Sequence, residues 1–132
     1  MAESGKYNVL LVEDNIENKD VITYFIKNMC QVDTAPDGPT AVEMVKNKQY
    51  DCVLMDINLG LGMNGIEATK KIRQVAGYDK TPIIAVTAYA MVGDREVFLE
   101  AGCTHYISKP FTKQEILSLL KTVLEEEEHD TI

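Results

Sequence analysis

The sequence predicts an α/β fold in which helices cover both faces of a parallel β-sheet. Short apolar runs alternate five times with longer segments of helical periodicity, which is typical of repeated strand–helix units. The first, third and fourth runs are continuously apolar, as strands buried on both faces require. The 132 residues suffice for one domain, so we expect a single sheet with its ligands at the carboxyl ends of the strands.

Five strands are predicted from the apolar runs. Each run is rich in β-branched or other apolar residues and is followed by a polar residue or a turn signal. In chain order the predicted strands cover residues 9–12, 32–35, 52–55, 82–86 and 104–108.

A helix is predicted after each strand, because apolar residues recur there at spacings of three and four. Asp37, Gly38 and Pro39 form a turn with proline at the first position of the second helix. Gly102 is expected to end the fourth helix, and a capping box of residues 112–115 to begin the fifth. The predicted apolar faces are Val21, Ile22, Phe25, Ile26 and Met29; Ala41, Val42 and Val45; Ala68, Thr69, Ile72, Val75 and Ala76; Val97, Phe98 and Ala101; and Ile116, Leu117, Leu120, Val123 and Leu124.

The net charge of −8 is concentrated in two places. Residues 125–130 carry five acids and no lysine or arginine, and Glu13, Asp14 and Asp56 supply three more. The charges of all other residues therefore sum to zero. Without a basic run the chain is a poor binder of nucleic acid. The terminal acids oppose the negative end of the last helix dipole, so we expect that helix to fray.

The three cysteines, Cys30, Cys52 and Cys103, are too far apart in the sequence for a recognisable disulfide framework or zinc site. We expect them to be buried in a cytoplasmic protein. No segment is apolar enough for a membrane span or a signal peptide. We expect one domain over residues 1–132, with a core at about 8–124 and an acidic tail at 125–132. The short polar segment that begins with Met1 favours a stand-alone or N-terminal domain.

Polar side chains stand at the carboxyl end of four predicted strands, where a ligand is expected. They are Glu13 and Asp14 after the first, Asp56 after the third, Thr87 after the fourth and Lys109 after the fifth. Converging carboxylates repel one another unless a cation lies between them, and Mg²⁺ suits an all-oxygen site with room for a phosphate. Asp56 is then the candidate nucleophile for a covalent aspartyl phosphate.

These residues resemble, in order and spacing, the receiver domain of bacterial two-component response regulators. The resemblance covers about residues 8–124. It is carried by Val9-Leu10-Leu11-Val12-Glu13-Asp14-Asn15, Val53-Leu54-Met55-Asp56, Val86-Thr87-Ala88-Tyr89-Ala90 and Ser108-Lys109-Pro110-Phe111.

The resemblance implies a doubly wound, flavodoxin-like sheet of order 2-1-3-4-5. It implies Asp56 as phosphoacceptor and a Mg²⁺ site made by Glu13, Asp14, Asp56 and the backbone carbonyl of Asn58. Thr87 and Lys109 would contact the phosphoryl group, and Tyr106 would switch its rotamer together with Thr87. The Lys109-Pro110 peptide would be cis.

One loop departs from the family pattern. From Asp56 to Gly65 it is one residue longer than usual, lacks the usual proline and has two extra glycines, Gly60 and Gly62. We expect a looser loop, with consequences for partner contact and phosphate lifetime, while metal binding through Asn58 is retained. Glu13 replaces the family's usual aspartate and is expected to reach the metal through water.

The predicted function is a phosphoacceptor switch that takes a phosphoryl group from a histidine kinase or a histidine phosphotransfer protein. No nucleotide-binding loop is present, and His105 and His129 lie outside the predicted site, so the donor must be another protein. A downstream protein would bind the face made by helix 91–101, strand 104–108 and helix 112–124, and the chain would be a monomer or a weak dimer. It would be no turnover enzyme, catalysing only its own phosphorylation and slow autodephosphorylation.

Two other functions stay open. One is a receiver-like adaptor that binds partners without phosphorylation. The other is a Mg²⁺-dependent phosphohydrolase, although the position where such enzymes carry a second acid holds Asn58. A flavin site is disfavoured by Glu13 and Asp14 in the first loop.

Most of these residues also have a structural interpretation, whereas an unpaired carboxylate at Asp56, after four apolar residues, would be costly. Glu13 and Asp14 could cap a helix, Thr87 suits a strand, and Lys109 could be a surface lysine before a turn. Tyr106 could be a packing residue and Tyr89 a loop aromatic. Their coincidence at the strand ends favours the functional interpretation.

Overall fold

The computed structural model describes residues 6–59, 62–88 and 94–130, with side chains up to Glu125. Its five strands form one parallel sheet of order β2-β1-β3-β4-β5. This confirms the predicted fold class and strand order. The strands are β1 (Tyr7–Val12), β2 (Cys30–Ala35), β3 (Cys52–Asp56), β4 (Ile83–Thr87) and β5 (His105–Ser108).

A helix follows each strand, as predicted. Asp37 caps the second helix through its side chain, with Pro39 in the first turn. Gly102, at φ 118°, follows the last residue of the fourth helix. Thr112 and Glu115 exchange the two hydrogen bonds of a capping box before the fifth. The helices are α1 (Ile16–Ile26), α2 (Gly38–Asn47), α3 (Gly65–Arg73), α4 (Asp94–Ala101) and α5 (Lys113–Asp130).

The sheet separates two apolar cores, which makes the fold doubly wound. Alternate residues of the central strands point to opposite faces. One core joins these strands to α2, α3 and α4 through side chains that include Ala41, Val45, Ala68, Ile72 and Phe98. The other joins them to α1 and α5 through Ile22, Ile26, Ile116, Leu120 and Val123.

Some details of the predicted helices were wrong. Val21 and Val97 are exposed although they sit beside buried neighbours, because the buried stripe of each short helix is narrower than the apolar pattern. Val75 and Ala76 lie beyond the end of α3, and Met29 beyond the end of α1. Val75 and Met29 still pack against the cores from the following turns.

The acidic end of α5 is helical rather than frayed. Its backbone continues as helix to Asp130. Glutamate is a good helix former, and this intrinsic preference opposes the unfavourable interaction of the acids with the helix dipole.

The three cysteines are buried with free thiols, as expected. Burial raises the pKa of each thiol, most strongly that of Cys52, so they behave as small apolar residues. Among the helices that the structure describes, none is long and apolar enough to cross a membrane.

Candidate functional site

The predicted site residues are brought together at one edge of the sheet. Asp56 and Thr87 are the last residues of β3 and β4, and Glu13 and Lys109 directly follow β1 and β5. The strands are parallel and adjacent, so their carboxyl ends open on the same side. The register places Asp56 beside Val86, the residue before Thr87.

Two carboxylates of the site are almost completely withdrawn from solvent. Glu13 is 2% exposed and Asp56 3% exposed, whereas Asp14 lies open to solvent. One carboxylate oxygen from each of the three lies within 4.8 Å of the other two. The set supplies only oxygen ligands, with one exposed member leaving an approach from solvent, and this chemistry fits Mg²⁺.

Lys109 places its ammonium group beside both buried carboxylates. Nζ lies 3.4 Å from Oε1 of Glu13 and 3.6 Å from Oδ2 of Asp56. Three quarters of the lysine side chain is covered, so the interaction is screened less than a surface ion pair. One lysine charge faces two acids, which leaves the buried group with a net negative charge when all three are ionised.

The pKa of Glu13 is raised by burial and by the excess negative charge of the site. Burial and the neighbouring carboxyl of Asp56 raise this pKa from 4.5 to about 7, while Lys109 and the Asn15 N–H oppose the rise. A bound divalent cation would remove the cause of the repulsion. The electrostatics of the site therefore favour a cation among these oxygens.

The segment after Asp56 is fixed by backbone hydrogen bonds. The Ile57 N–H donates to the carbonyl of Val86 at 3.0 Å, and the Asn58 N–H donates to Oδ1 of Asp56 at 3.0 Å. Asp56 is thus oriented by its own chain two residues later. The role of the Asn58 carbonyl as a metal ligand stays a prediction.

Thr87 and Lys109 are linked through their backbones. The Lys109 N–H donates to the carbonyl of Thr87 at 2.7 Å, and the Thr87 side chain is buried. The Lys109-Pro110 peptide is cis, as the resemblance implied. The hydroxyl and the ammonium group predicted to contact a phosphoryl group are therefore held on neighbouring strand ends.

Tyr106 lies two register positions from Thr87 along the β4–β5 ladder. It pairs with Ala85, and Ser108 pairs with Thr87, so Tyr106 and Thr87 are on the same face of the sheet. Tyr106 is 42% exposed, and its ring centroid lies 6.4 Å from that of Phe98 in α4. It is therefore not a core residue, and the coupling of its rotamer to Thr87 stays a prediction.

A backbone hydrogen bond joins the two ends of the long loop between β3 and α3. The Gly65 N–H donates to the carbonyl of Ile57 at 3.2 Å, and Leu59 is buried in the core. Asn64 caps α3 and forms a capping box with Glu67. Both ends of the loop are thus anchored, while Gly60 and Leu61 lie outside the described residues.

Three predicted features fall partly outside the described residues. They are Tyr89 and Ala90 of the motif Val86–Ala90, and the start of the predicted helix 91–101, of which α4 covers Asp94–Ala101.

The structure also shows a residue whose role the sequence interpretation missed. The N-cap of α1 is Asn15, whose side chain accepts from the Asn18 N–H at 2.8 Å. Its own N–H donates to Oε2 of Glu13 at 3.2 Å. Glu13 and Asp14 do not cap the helix, and an asparagine before an apolar helix pattern was the signal for this role.

The comparisons with known proteins agree with this geometry. The sequence model of the response regulator receiver domain matches residues 9–121. The chain is 40% identical over 122 residues to hybrid signal transduction histidine kinase I of Dictyostelium discoideum, and 39% identical over 113 residues to the histidine-protein kinase BarA of Escherichia coli K12. These alignments cover 86% and 85% of this chain but only 7% and 12% of those two proteins.

Solved structures show the same fold. The receiver domain of the sensor histidine kinase PA1611 from Pseudomonas aeruginosa is 37% identical, with a TM-score of 0.84 and coverage of 91% of this chain and 98% of that chain. That structure holds a magnesium ion in its active site cleft. The chemotaxis protein CheY4 of Vibrio cholerae is 28% identical, with a TM-score of 0.86, covering 90% of this chain and 99% of that one.

Proposed function

This chain belongs to the response regulator receiver domain family, and from that membership we propose that it is a phosphoacceptor switch in a two-component phosphorelay. The single observation that carries the proposal is the placement of Lys109 within 3.6 Å of the buried Asp56 carboxylate, beside the acidic pair Glu13 and Asp14. This arrangement provides a nucleophile, a cation site and a positive charge for a phosphoryl oxygen.

The proposed reaction is a phosphoryl transfer between two side chains. An oxygen of the Asp56 carboxylate attacks the phosphorus of a phosphohistidine on the partner, and the new O–P bond forms as the N–P bond breaks. The electron pair of the N–P bond returns to the ring nitrogen, which takes up a proton from water, and the partner is left with a neutral histidine. Lys109 and Thr87 stabilise the charge on the transferred oxygens.

The proposed metal ligands are the carboxylates of Glu13, Asp14 and Asp56 and the backbone carbonyl of Asn58, with Glu13 acting through water. When Mg²⁺ is bound, it neutralises negative charge on the carboxylates and on the phosphoryl oxygens. The magnesium-containing cleft of the PA1611 receiver domain supports this assignment.

The proposed output is a change of the face made by α4, β5 and α5. Phosphorylation adds negative charge beside Thr87, and Thr87 shares a face of the sheet with Tyr106. The exposed ring of Tyr106 against Phe98 is placed to carry the change to α4. A downstream protein would bind this altered face.

The proposed donor is a phosphorylated histidine kinase or histidine phosphotransfer protein, and α1 offers it a surface. Ile16 is 68% exposed and Tyr24 61% exposed, and their spacing of eight puts them on one side of the helix. A cleft of about 190 Å³ is lined by other residues of α1, among them Val21 and Phe25, and by Lys109 and Phe111. An apolar surface next to the nucleophile suits a docked helix that carries the phosphohistidine.

We do not expect the chain to turn over a substrate as an enzyme. Asn58, two residues after Asp56, donates its backbone N–H to the Asp56 carboxylate and carries an amide side chain where a second acid would stand. No general base is therefore available at this position for rapid hydrolysis of the aspartyl phosphate. The buried free thiols suit a reducing, cytoplasmic compartment.

Intact mass with acetyl phosphate, with and without Mg²⁺, tests the proposal. The wild-type chain should gain the mass of one phosphoryl group in the presence of Mg²⁺, and Asp56→Asn should gain none. A phosphoryl group retained on Asp56→Asn contradicts the assignment of the acceptor. A wild-type chain that never takes the group favours the phosphorylation-independent adaptor, and continuous phosphate release would indicate the phosphohydrolase.

A further inference from the structure

The loop between β3 and α3 rests on the first residue of α2 through one tight contact. Gly38 is buried there, and a Cβ atom placed on it would lie 2.8 Å from Sδ and 3.1 Å from Cγ of Met63. Gly38 does not have a positive φ, so the backbone would accept another residue. A methyl group at this position would also lie 3.2 Å from Cβ of Ala68, so it would push the Met63 side chain away from α2.

The contact continues from Met63 to the phosphoacceptor segment. Two residues after Met63, the backbone of Gly65 lies so close to the Asp56–Ile57 peptide that a Cβ on Gly65 would overlap the Asp56 carbonyl oxygen. The Gly65 N–H also donates to the carbonyl of Ile57 at 3.2 Å. A shift of Met63 would therefore be transmitted to the backbone that carries Asp56 and Asn58.

We propose that the Met63–Gly38 contact positions the segment 56–58 for metal binding and phosphoryl transfer. The inference rests on the proposed function and deepens it. Met63 is a positioning residue, because it touches none of the reacting groups and acts through the loop backbone. Gly38 is the surface against which it is placed.

The position of this loop depends on the apolar side chains that pack against the core. Gly62, at φ 95°, gives the described part of the loop a backbone conformation that other residues rarely adopt. Among the loop residues that the structure describes, Ile57, Leu59 and Met63 supply apolar contacts to the core on the α2 side of the sheet. Leu59 lies next to Asn58, so Met63 is the anchor that fixes the far end.

Two substitutions change the contact in opposite ways. Gly38→Ala introduces a methyl group against Met63 while improving helix propensity, so loss of the fold is not expected. Met63→Ala removes the contacting side chain, and the double variant gives the new methyl group room. Val45→Ala is the matched control, since Val45 is buried two turns further along α2 in the same core.

The test measures the Asn58 amide shift of the metal-free protein by NMR, Mg²⁺ affinity by titration, and thermal unfolding. Gly38→Ala should move the Asn58 resonance and weaken Mg²⁺ binding about tenfold, a typical size for a group that orients a ligand. The double variant should recover part of both effects. Val45→Ala should lower thermal stability and change neither.

The inference is overturned if Gly38→Ala leaves the Asn58 amide and the Mg²⁺ affinity at wild-type values, or if Val45→Ala changes both equally. Failure of the proposed function looks different. In that case the wild-type chain takes no phosphoryl group from acetyl phosphate, whereas the amide shifts of the metal-free variants still decide whether Met63 positions the segment.

Discussion

The ammonium group of Lys109 lies 3.6 Å from Oδ2 of Asp56, although 53 residues separate them in the chain. The same group lies 3.4 Å from Glu13. One lysine therefore neutralises part of a buried carboxylate pair before any phosphoryl group arrives, and it is already at the place where new negative charge would develop.

Replacing Lys109 with methionine should slow phosphorylation by acetyl phosphate about 100-fold, the usual size for loss of one charge-stabilising group in an active site. The substitution keeps the length of the side chain and removes its charge. Stopped-flow or mass-resolved time courses at saturating Mg²⁺ measure the rate. Lys121→Met, an exposed lysine of α5, is the control. Equal rates in wild type and Lys109→Met would mean that the lysine acts only as a resting ion-pair partner.

Mg²⁺ affinity should depend on pH through Glu13. Its pKa of about 7 in the metal-free protein means that the carboxyl must lose a proton before the site is fully charged. The apparent affinity should rise with pH up to about 7, by up to about tenfold for each unit well below that value, and then level off. Titrations between about pH 5.5 and 8.5 should show this slope in wild type and a smaller one in Glu13→Gln.

The same pKa affects the stability of the metal-free protein. The folded state holds a proton on Glu13 that the unfolded chain releases from pH 4.5, so this group makes the folded state less stable as pH rises from 4.5 to about 7. Mg²⁺ should reverse that loss near neutral pH. Denaturant unfolding at several pH values, with and without Mg²⁺, measures the effect, and a Glu13→Gln variant with the same pH slope as wild type would contradict it.

Much of the fold and most of the site followed from the sequence because they depend on local patterns. Continuous apolar runs identify buried parallel strands, and the polar residue at each strand end identifies the edge where a ligand binds. Asp56, Thr87 and Lys109 are therefore found without coordinates, since topology alone brings strand ends together.

The features that were missed depend on contacts between distant segments. Nothing in the sequence around Gly38 indicates that Met63 would fill the space above it. Val21 on α1 is 49% exposed, although the spacing of the apolar residues placed it on the buried side of the helix. The guanidinium of Arg73 likewise donates to the carbonyls of Gly102 and Tyr78, and no periodicity predicts such partners.

Arg73 connects the end of α3 to the turn after α4. Its Nε and Nη2 donate to the Gly102 carbonyl at 2.9 and 2.6 Å, and Nη1 donates to the Tyr78 carbonyl at 2.6 Å. Arg73→Met should lower the free energy of unfolding by about 2 to 4 kcal/mol, because charged hydrogen bonds to part-buried carbonyls are lost. Chemical denaturation measures the change. Lys70→Met, on the exposed side of α3, should cost less than about 0.5 kcal/mol, and an equal loss in both variants would remove the special role of Arg73.

Transfer from a protein donor should depend on the exposed apolar side of α1, whereas transfer from acetyl phosphate should not. Tyr24 lies on that side with the ammonium groups of Lys27 and Lys113 at 4.7 and 5.9 Å from its ring centroid, so its ring is presented to a partner between two positive charges. Truncating a central aromatic residue of an interface typically weakens binding about tenfold or more. Tyr24→Ala should therefore lower the transfer rate from a phosphorylated histidine phosphotransfer domain by about that factor at subsaturating concentrations.

The controls for this prediction separate docking from chemistry. Ile16→Ala should act in the same direction as Tyr24→Ala, since both residues lie on one side of α1. Leu99→Ala removes an exposed apolar side chain of α4, away from the α1 surface, and should leave transfer unchanged. Acetyl phosphate is too small to use a helix surface, so all three variants should accept its phosphoryl group at the wild-type rate. If Tyr24→Ala slows both donors equally, the aromatic side chain supports the site itself and the donor docks elsewhere on the chain.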